Sequence, residues 1–503
     1  MGKTYVTGQV IEEADTNGWA QLVDLAASGG AGLLGYSQGA SGSVSRTVAA
    51  KLAESVSVLD FGADPTGVAD STAAIQAAIN AAQATNKRLY IPAASNCYLV
   101  TAPLIITAGL TICGDFVSPY TPSDFNTRGP GSWLYFNHLG KGFDIENASA
   151  DVTTVTLEGI GTIRNQPAPA AGWAPVAADY DIYIGNADVH VRDVMLWNPT
   201  KGIQINSASG ARVDIQGLYG QPLQIGIDCY LAEDVCRIRN VHFWPYWDND
   251  TAYVIPYMWA NFIPLQLERC DNPMISDFFA IYALYGINFT HNSNGYTQRA
   301  QLSNIGIDTF GSNAINIAAG ADGTSFQVSN LYGYSGTNAT NGINCAANNC
   351  IIQASNVRFS QLGYSASSIN GSGNIAKYSD WIVDGYNGAN NSSVCFYTNS
   401  GCRTEIADAP HVTATNASPL ISGTAALSSV GAIVASGSAT LSGTSVVVTH
   451  GLGWAPLWTQ INLHPYSAPP APLYVSAVTS TTFTVNSAVS GNCGFNWTID
   501  GWS

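Results

Sequence analysis

Short apolar runs broken by one polar or small residue recur along the middle of the chain. They are Val191-Arg192-Asp193-Val194, Ile215-Gln216-Gly217-Leu218, Ile238-Arg239-Asn240-Val241, Ile275-Ser276-Asp277-Phe278, Leu302-Ser303-Asn304-Ile305, Val328-Ser329-Asn330-Leu331, Ala354-Ser355-Asn356-Val357 and Tyr378-Ser379-Asp380-Trp381. The Asn, Asp or Gly of each run follows the previous one after 24, 23, 37, 27, 26, 26 and 24 positions. A second apolar marker follows at Ile203, Ile227, Ile287, Ile315 and Ile343. A repeat of this length cannot bury its apolar face alone, and stacking on its neighbours supplies the core. The pattern predicts a parallel β-helix with coils roughly 4.8 Å apart. Asn and Asp tolerate left-handed turn geometry, so Asp193, Asp277 and Asp380 read as turn residues rather than catalytic ones.

Before the repeat, Ile75, Ala78, Ile79 and Ala82 share one helical face between Ala73 and Ala82, with Asp70 or Ser71 as N-cap. So short and Ala-rich a helix caps something larger. Arg88–Pro92, Tyr98–Val100, Leu104–Ile106 and Leu110–Gly114 follow as short strands. Beyond about Ala407 the repeat fades into Ala/Ser/Thr/Gly-rich sequence, then Val446–Trp454, Leu473–Val475, Thr482–Val485 and Phe495–Trp497 read as strands of a compact module. The predicted organisation is a short N-terminal segment (1–54), the helix start with its capping helix (55–114), the β-helix with its functional face (115–410), a linker (411–440) and a C-terminal β module (441–503).

The order Asp60-Phe61-Gly62-Ala63, Gly67, Asp70-Ser71-Thr72-Ala73-Ala74-Ile75-Gln76-Ala77-Ala78-Ile79, followed by those strands, resembles the start of the pectate-lyase-like, right-handed parallel β-helix of bacteriophage tailspikes and capsule depolymerases. The resemblance implies a homotrimer on the virion tail, made in the host cytoplasm and joined to the baseplate or an adaptor. It also implies binding, and usually cleavage, of a bacterial surface polysaccharide such as capsule, exopolysaccharide or O-antigen. The N-terminal segment would be the attachment region, and the C-terminal module a trimer clamp or an added glycan contact.

Composition agrees with stacked strands and polar turns: 10% of residues are charged, 46% are hydrophobic, and 50 are glycine. Acidic groups number 34 against 18 basic ones, a formal charge of −16, which argues against a nucleic-acid partner. No run of about 18 apolar residues offers a membrane span, and no signal peptide opens the chain. The ten cysteines lack metal-ligand spacing and read as buried free thiols. No cofactor or metal is expected.

The interval of 37 carries about a dozen residues beyond the repeat, and these are crowded with rings: Trp244, Tyr246, Trp247, Tyr253, Tyr257, Trp259 and Phe262. Aromatic faces pack on the C–H faces of sugars, so Trp244, Tyr246, Trp247, Tyr253 and Trp259, with His242, Arg237 and Arg269, are the candidate substrate-binding residues. The competing reading buries the rings under the loop or in a subunit interface. Asp234 and Asp271 each lie six residues before a repeat marker and so occupy equivalent places on successive coils. They are the first-choice catalytic pair for glycoside hydrolysis, with Glu233, Glu268 and Asp248 as substitutes. Turn capping, or pairing with Arg237, Arg239 and Arg269, would explain them structurally.

An endo-glycosidase on a phage tail is therefore the leading expectation. A polysaccharide lyase would use Arg237, Arg239, Tyr246 or His242 on a uronate substrate, and a non-catalytic receptor-binding fibre would use the aromatic loop for binding alone. No Ser/Asp/His block supports a deacetylase.

Overall fold

The computed structural model describes residues 29–115, 127–146, 154–208, 212–335, 340–391, 393–407, 410–416, 421–423, 425–426, 433–450, 452 and 455–500. Parallel strands stack in two ladders, one of 18 strands and one of 12. Through the repeat the chain visits them in turn. Arg237–Phe243, Met274–Ile281, Ala300–Asp308, Ser325–Tyr334, Ile351–Ser360 and Ile375–Asp384 lie in the longer ladder, while Ile225–Ala232, Ile263–Cys270, Tyr285–Phe289, Asn313–Ile317 and Asn341–Cys345 lie in the shorter. One strand of each per turn makes a parallel β-helix.

The repeat markers are the places where the long strands bend. Asp193, Asn240, Asp277, Asn304, Asn330, Asn356 and Asp380 have φ between 49° and 57°, and Gly217 has 71°. An L-residue enters this region at a cost that Asn and Asp bear best. Alternation breaks there: in Ser325–Tyr334, Phe326, Val328, Leu331 and Gly333 face inward, and two successive residues, Ser329 and Asn330, face outward. The side chains then stack: Asn304 Nδ2 donates to Asp277 Oδ1 at 2.9 Å, Asn330 Nδ2 to Asn304 Oδ1 at 2.9 Å and Asn356 Nδ2 to Asn330 Oδ1 at 2.6 Å. The second marker forms an inner column. Ile203, Ile227, Leu265, Ile287, Ile315 and Ile343 pair coil to coil, all with no exposed surface. Each such side chain contributes roughly 1.5–3 kcal/mol of transfer free energy before conformational entropy is set against it.

The first coil is closed by a helix, Thr72–Thr85, that buries Ile75, Ala78, Ile79 and Ala82. Thr72 N–H donates to Asp70 Oδ1 at 3.0 Å, and Asn86 ends the helix at φ 51°. Ser71 is occupied differently, its hydroxyl accepting from Asp64 N–H at 2.8 Å. Asp64 organises the preceding loop: its carboxylate takes the N–H groups of Thr66, Val68 and Ala69 at 2.9, 3.2 and 2.7 Å.

At the other end the expected linker is in part coil. His411–Thr413, Ile421–Gly423 and Ala425–Ala426 add to both ladders, so stacking runs past the point where the apolar repeat fades. Small and polar residues suffice on these coils because the underlying coil already offers paired backbone. Four antiparallel strands follow, Ile433–Thr449, Ile461–Pro465, Leu473–Val478 and Thr482–Asp500, around their own core of Leu441, Phe483, Val485, Phe495 and Ile499. Nine of the ten cysteines are buried, and no helix among the described residues is long and apolar enough to cross a membrane.

Candidate functional site

Asp234 and Asp271 lie where the chain passes from the shorter ladder to the longer one, on successive coils, since Ala232 pairs with Cys270 and Arg237 with Met274. They do not form a free carboxylate pair. Arg269 pairs with Asp271, its Nη2 donating to Oδ2 at 3.1 Å and its Nη1 lying 2.9 Å from Oδ1 as an ion-pair contact, with Arg299 3.8 Å from Oδ1. Asp234 Oδ1 accepts the N–H of Val235 at 2.7 Å. Glu233 is exposed, and its charge acts on Arg269. Asp248 shapes the insertion loop by accepting Asp250 N–H at 2.7 Å, and burial pushes its carboxyl up. Turn and ion-pair duties thus engage three of the five carboxylates expected from sequence, Asp234, Asp271 and Asp248, and Glu233 stands exposed beside them.

The fifth, Glu268, belongs to a different pair. The residues after the second markers point outward from the shorter ladder and stack as Gln204, Asp228, Gln266, Asn288, Asn316 and Asn344. Asp228 is 2% exposed and accepts from Tyr180 Oη at 2.6 Å, Gln204 Nε2 at 2.9 Å and Gln266 Nε2 at 3.3 Å. The same Gln266 Nε2 donates to Glu268 Oε1 at 2.9 Å, so one nitrogen bridges the two carboxyl groups. Burial, then the charge of Asp228, pushes the Glu268 carboxyl up to about 7, against weaker support for the anion from Asn292 and Gln266. Burial also raises Asp228, but its hydrogen bonds from Tyr180, Gln204 and Gln266 and the charge of Lys201 favour the anion there. Two carboxyls joined through one donor share the difficulty of ionising: burial raises both, and the Asp228 charge weighs further on Glu268.

The aromatic insertion is divided between packing and surface. It forms a helix, Val254–Asn261, that the apolar run does not announce because its rings obscure the helical period. Tyr246 and Phe262 are buried, as the competing reading expects. Tyr246 Oη lies 3.1 Å from His242 Nδ1, and His242 stands in an outward column of the longer ladder between Tyr219 and Phe279, its pKa lowered by burial. Trp259 donates Nε1–H to Thr309 O at 2.6 Å and meets Tyr282 edge-on. Trp244 leans on Phe279, while Trp247 lies 6.1 Å from Trp173. Tyr253 is exposed. Trp244 and Tyr246 follow the strand Arg237–Phe243, whereas Asp234 precedes it.

Arg237 heads a groove of about 770 Å³ along the first half of the long strands. Two outward columns line it, Arg237, Met274, Gln301, Gln327, Gln353 and Lys377 beside Arg239, Ser276, Ser303, Ser329, Ser355 and Ser379. Amides and hydroxyls repeated coil after coil offer donors and acceptors for a polyhydroxylated chain. Among the described residues no group of three or more His, Cys, Asp or Glu is placed to hold a metal ion. Asp228 escaped the sequence reading, although a signal was present: it directly follows the second marker Ile227, and that register sets its side chain outward.

Residues 55–164 match the family model described as rhamnogalacturonase A/epimerase, pectate lyase-like. No curated protein matches the chain. Among solved structures, a mutant tailspike protein of E. coli bacteriophage HK620 in complex with a pentasaccharide aligns with TM-score 0.54 and 11% identity, over 97% of this chain and 100% of that one. The HK620 tailspike without a stated mutation, also in complex with a pentasaccharide, aligns with TM-score 0.51 and 10% identity over 96% of this chain and 100% of that one. These likenesses establish the fold, a pectate-lyase-like parallel β-helix of the kind found in tailspikes.

Proposed function

We propose that this β-helix is a bacteriophage tailspike that binds and depolymerises a bacterial surface polysaccharide by endo-glycoside hydrolysis. The observation that carries the reading is a carboxyl group poised near neutrality, Glu268, beside the buried carboxylate Asp228 on the outer face of the shorter ladder. An acid with a pKa of about 7 is half protonated at neutral pH and can deliver that proton to a leaving oxygen. In the proposed reaction Glu268 protonates the glycosidic oxygen as the C–O bond breaks. Asp228, anionic beneath it, opposes the positive charge that develops at the anomeric carbon. Water then adds to that carbon, and a proton returns to Glu268.

The fold supports the assignment, because the tailspike of similar architecture was solved with a pentasaccharide. Assembly as a homotrimer on the phage tail is part of the same proposal, with the protein made in the host cytoplasm and acting at the bacterial surface. Exposed Met274, Ile351 and Ile375 near the amide-and-hydroxyl groove support a face covered by further copies.

The test is an end-group assay on purified surface polysaccharides of candidate hosts, reading new reducing ends together with unsaturated uronate absorbance. New reducing ends without unsaturation are expected. Unsaturated ends would transfer the assignment to a lyase, and tight binding without new ends would leave a recognition fibre.

A further inference from the structure

The outward column of the longer ladder that holds His242 starts at Trp133 and continues through Gly161, Met195, Tyr219 and His242 to Phe279. Gly161 is required beneath the first ring, since a Cβ there would lie 2.4 Å from Trp133. Trp197 meets Trp133 edge-on with ring centroids 5.9 Å apart, and both, with Trp247 and Asn96, line a cavity of about 620 Å³. That volume falls within the range of small-ligand sites. Arg128 also lines it, its guanidinium carbon 5.3 Å from the centre of the Trp133 ring.

Among the described residues, Arg128 bonds only to Asn96, Nη1 to the backbone oxygen at 3.3 Å and Nη2 to Oδ1 at 3.0 Å, and no carboxylate forms an ion pair with it. A guanidinium has five N–H donors, so its charge and most of its donors remain unspent on described residues. Burial lowers its pKa, and the neighbouring Cys97 thiol offsets this only in part. In a chain of formal charge −16, a half-buried cation with no carboxylate partner among the described residues is an anion receptor by composition as well as geometry.

We propose that this cavity binds an acidic sugar unit, its carboxylate on Arg128 and its C–H face on Trp247, the partly exposed ring of the lining, while the buried Trp133 and Trp197 hold the wall behind. The inference rests on the glycan-binding reading above and adds the substrate class, a polymer containing uronic or similarly carboxylated residues. It assigns Arg128 a binding role with no part in the chemistry at Glu268.

The experiment titrates the full chain with methyl β-D-glucuronide and, separately, methyl β-D-glucoside, following tryptophan fluorescence at low salt. The glucuronide is expected to bind about tenfold more tightly, the order of one charge-assisted contact. Arg128→Gln should abolish that preference with the melting temperature unchanged, and Arg128→Lys should retain part of it. Equal affinities, binding of neither glycoside, or a preference that survives in Arg128→Gln would each overturn the assignment. Failure of the end-group assay would leave a glucuronide preference standing, and equal glycoside binding would leave hydrolysis standing, so the two proposals fall separately.

Discussion

Glu268 and Asp228, on adjacent coils, share one hydrogen-bond donor, the Gln266 amide nitrogen, at 2.9 and 3.3 Å. This arrangement fixes the sign of a pH effect. Removing the Asp228 charge makes Glu268 easier to ionise, so in Asp228→Asn the Glu268 pKa falls from about 7 toward its ordinary value. A general acid works only while protonated, so the alkaline limb of kcat/KM should lie near 7 in the native protein and move to lower pH in Asp228→Asn. A pH profile of polysaccharide cleavage reads this directly. An unmoved limb would remove Glu268 from the acid role.

Glu268→Gln keeps the Gln266 contact and loses the proton. Cleavage should drop about 10²–10⁴-fold, the usual worth of a positioned general acid, while polysaccharide binding stays within about twofold. Loss of binding together with turnover would instead mark Glu268 as a substrate-holding residue.

Asp271→Asn provides the contrasting case. Because Arg269 already occupies both oxygens of Asp271, the substitution should leave cleavage within about twofold and cost about 0.5–1 kcal/mol of stability. Reducing-end release and chemical denaturation measure the two effects. A loss comparable to that of Glu268→Gln would restore the pair expected from sequence.

The contrast between these carboxylates shows what the sequence could and could not convey. The marker spacing placed Asp234 and Asp271 on successive coils, and the coils pair that way. What it could not convey is side-chain occupancy. Arg269 lies two residues from Asp271 in sequence, but its fork closes on that carboxylate only once the strand ends and the chain turns. The left-handed Asn and Asp positions, the inner Ile column and the buried face of the first helix were all legible, because each follows from a local rule repeated in register. The helix within the insertion was not, since an isolated aromatic segment has no neighbour to confirm its period. Asp228 was hidden for a related reason: its place follows from the second marker, and the six-residue offset to the first marker does not reach it.

Asp64 gives a prediction at acid pH. Backbone N–H groups, foremost that of Ala69, hold its carboxyl down at about 2 against an ordinary 3.8. A folded-state pKa below the unfolded one adds stability that is complete above the unfolded value and is lost as pH falls through the folded one. The melting-temperature advantage of the native chain over Asp64→Asn should therefore be constant above about pH 5 and shrink toward pH 2. Calorimetry across that range tests it; a pH-independent difference would mean that the loop does not depend on the charge.

Asn330 tests the marker itself. It has φ 57°, donates to Asn304 Oδ1 at 2.9 Å and accepts from Asn356 Nδ2 at 2.6 Å. Asn330→Ala meets both a backbone conformation that disfavours Cβ and the loss of two ladder bonds, so a destabilisation of about 2–3 kcal/mol is expected. Asn330→Gly removes the same bonds but relieves the backbone, and should cost about 1–2 kcal/mol less than the alanine variant. Asn330→Asp keeps the geometry and the acceptor, and loses the donor toward Asn304. Because native Asp277 and Asp380 already occupy equivalent corners, Asn330→Asp should fall between the other two. Unfolding rates in denaturant rank the three variants. If glycine proves no better than alanine, the asparagines are held by their ladder alone and the left-handed backbone imposes no selection.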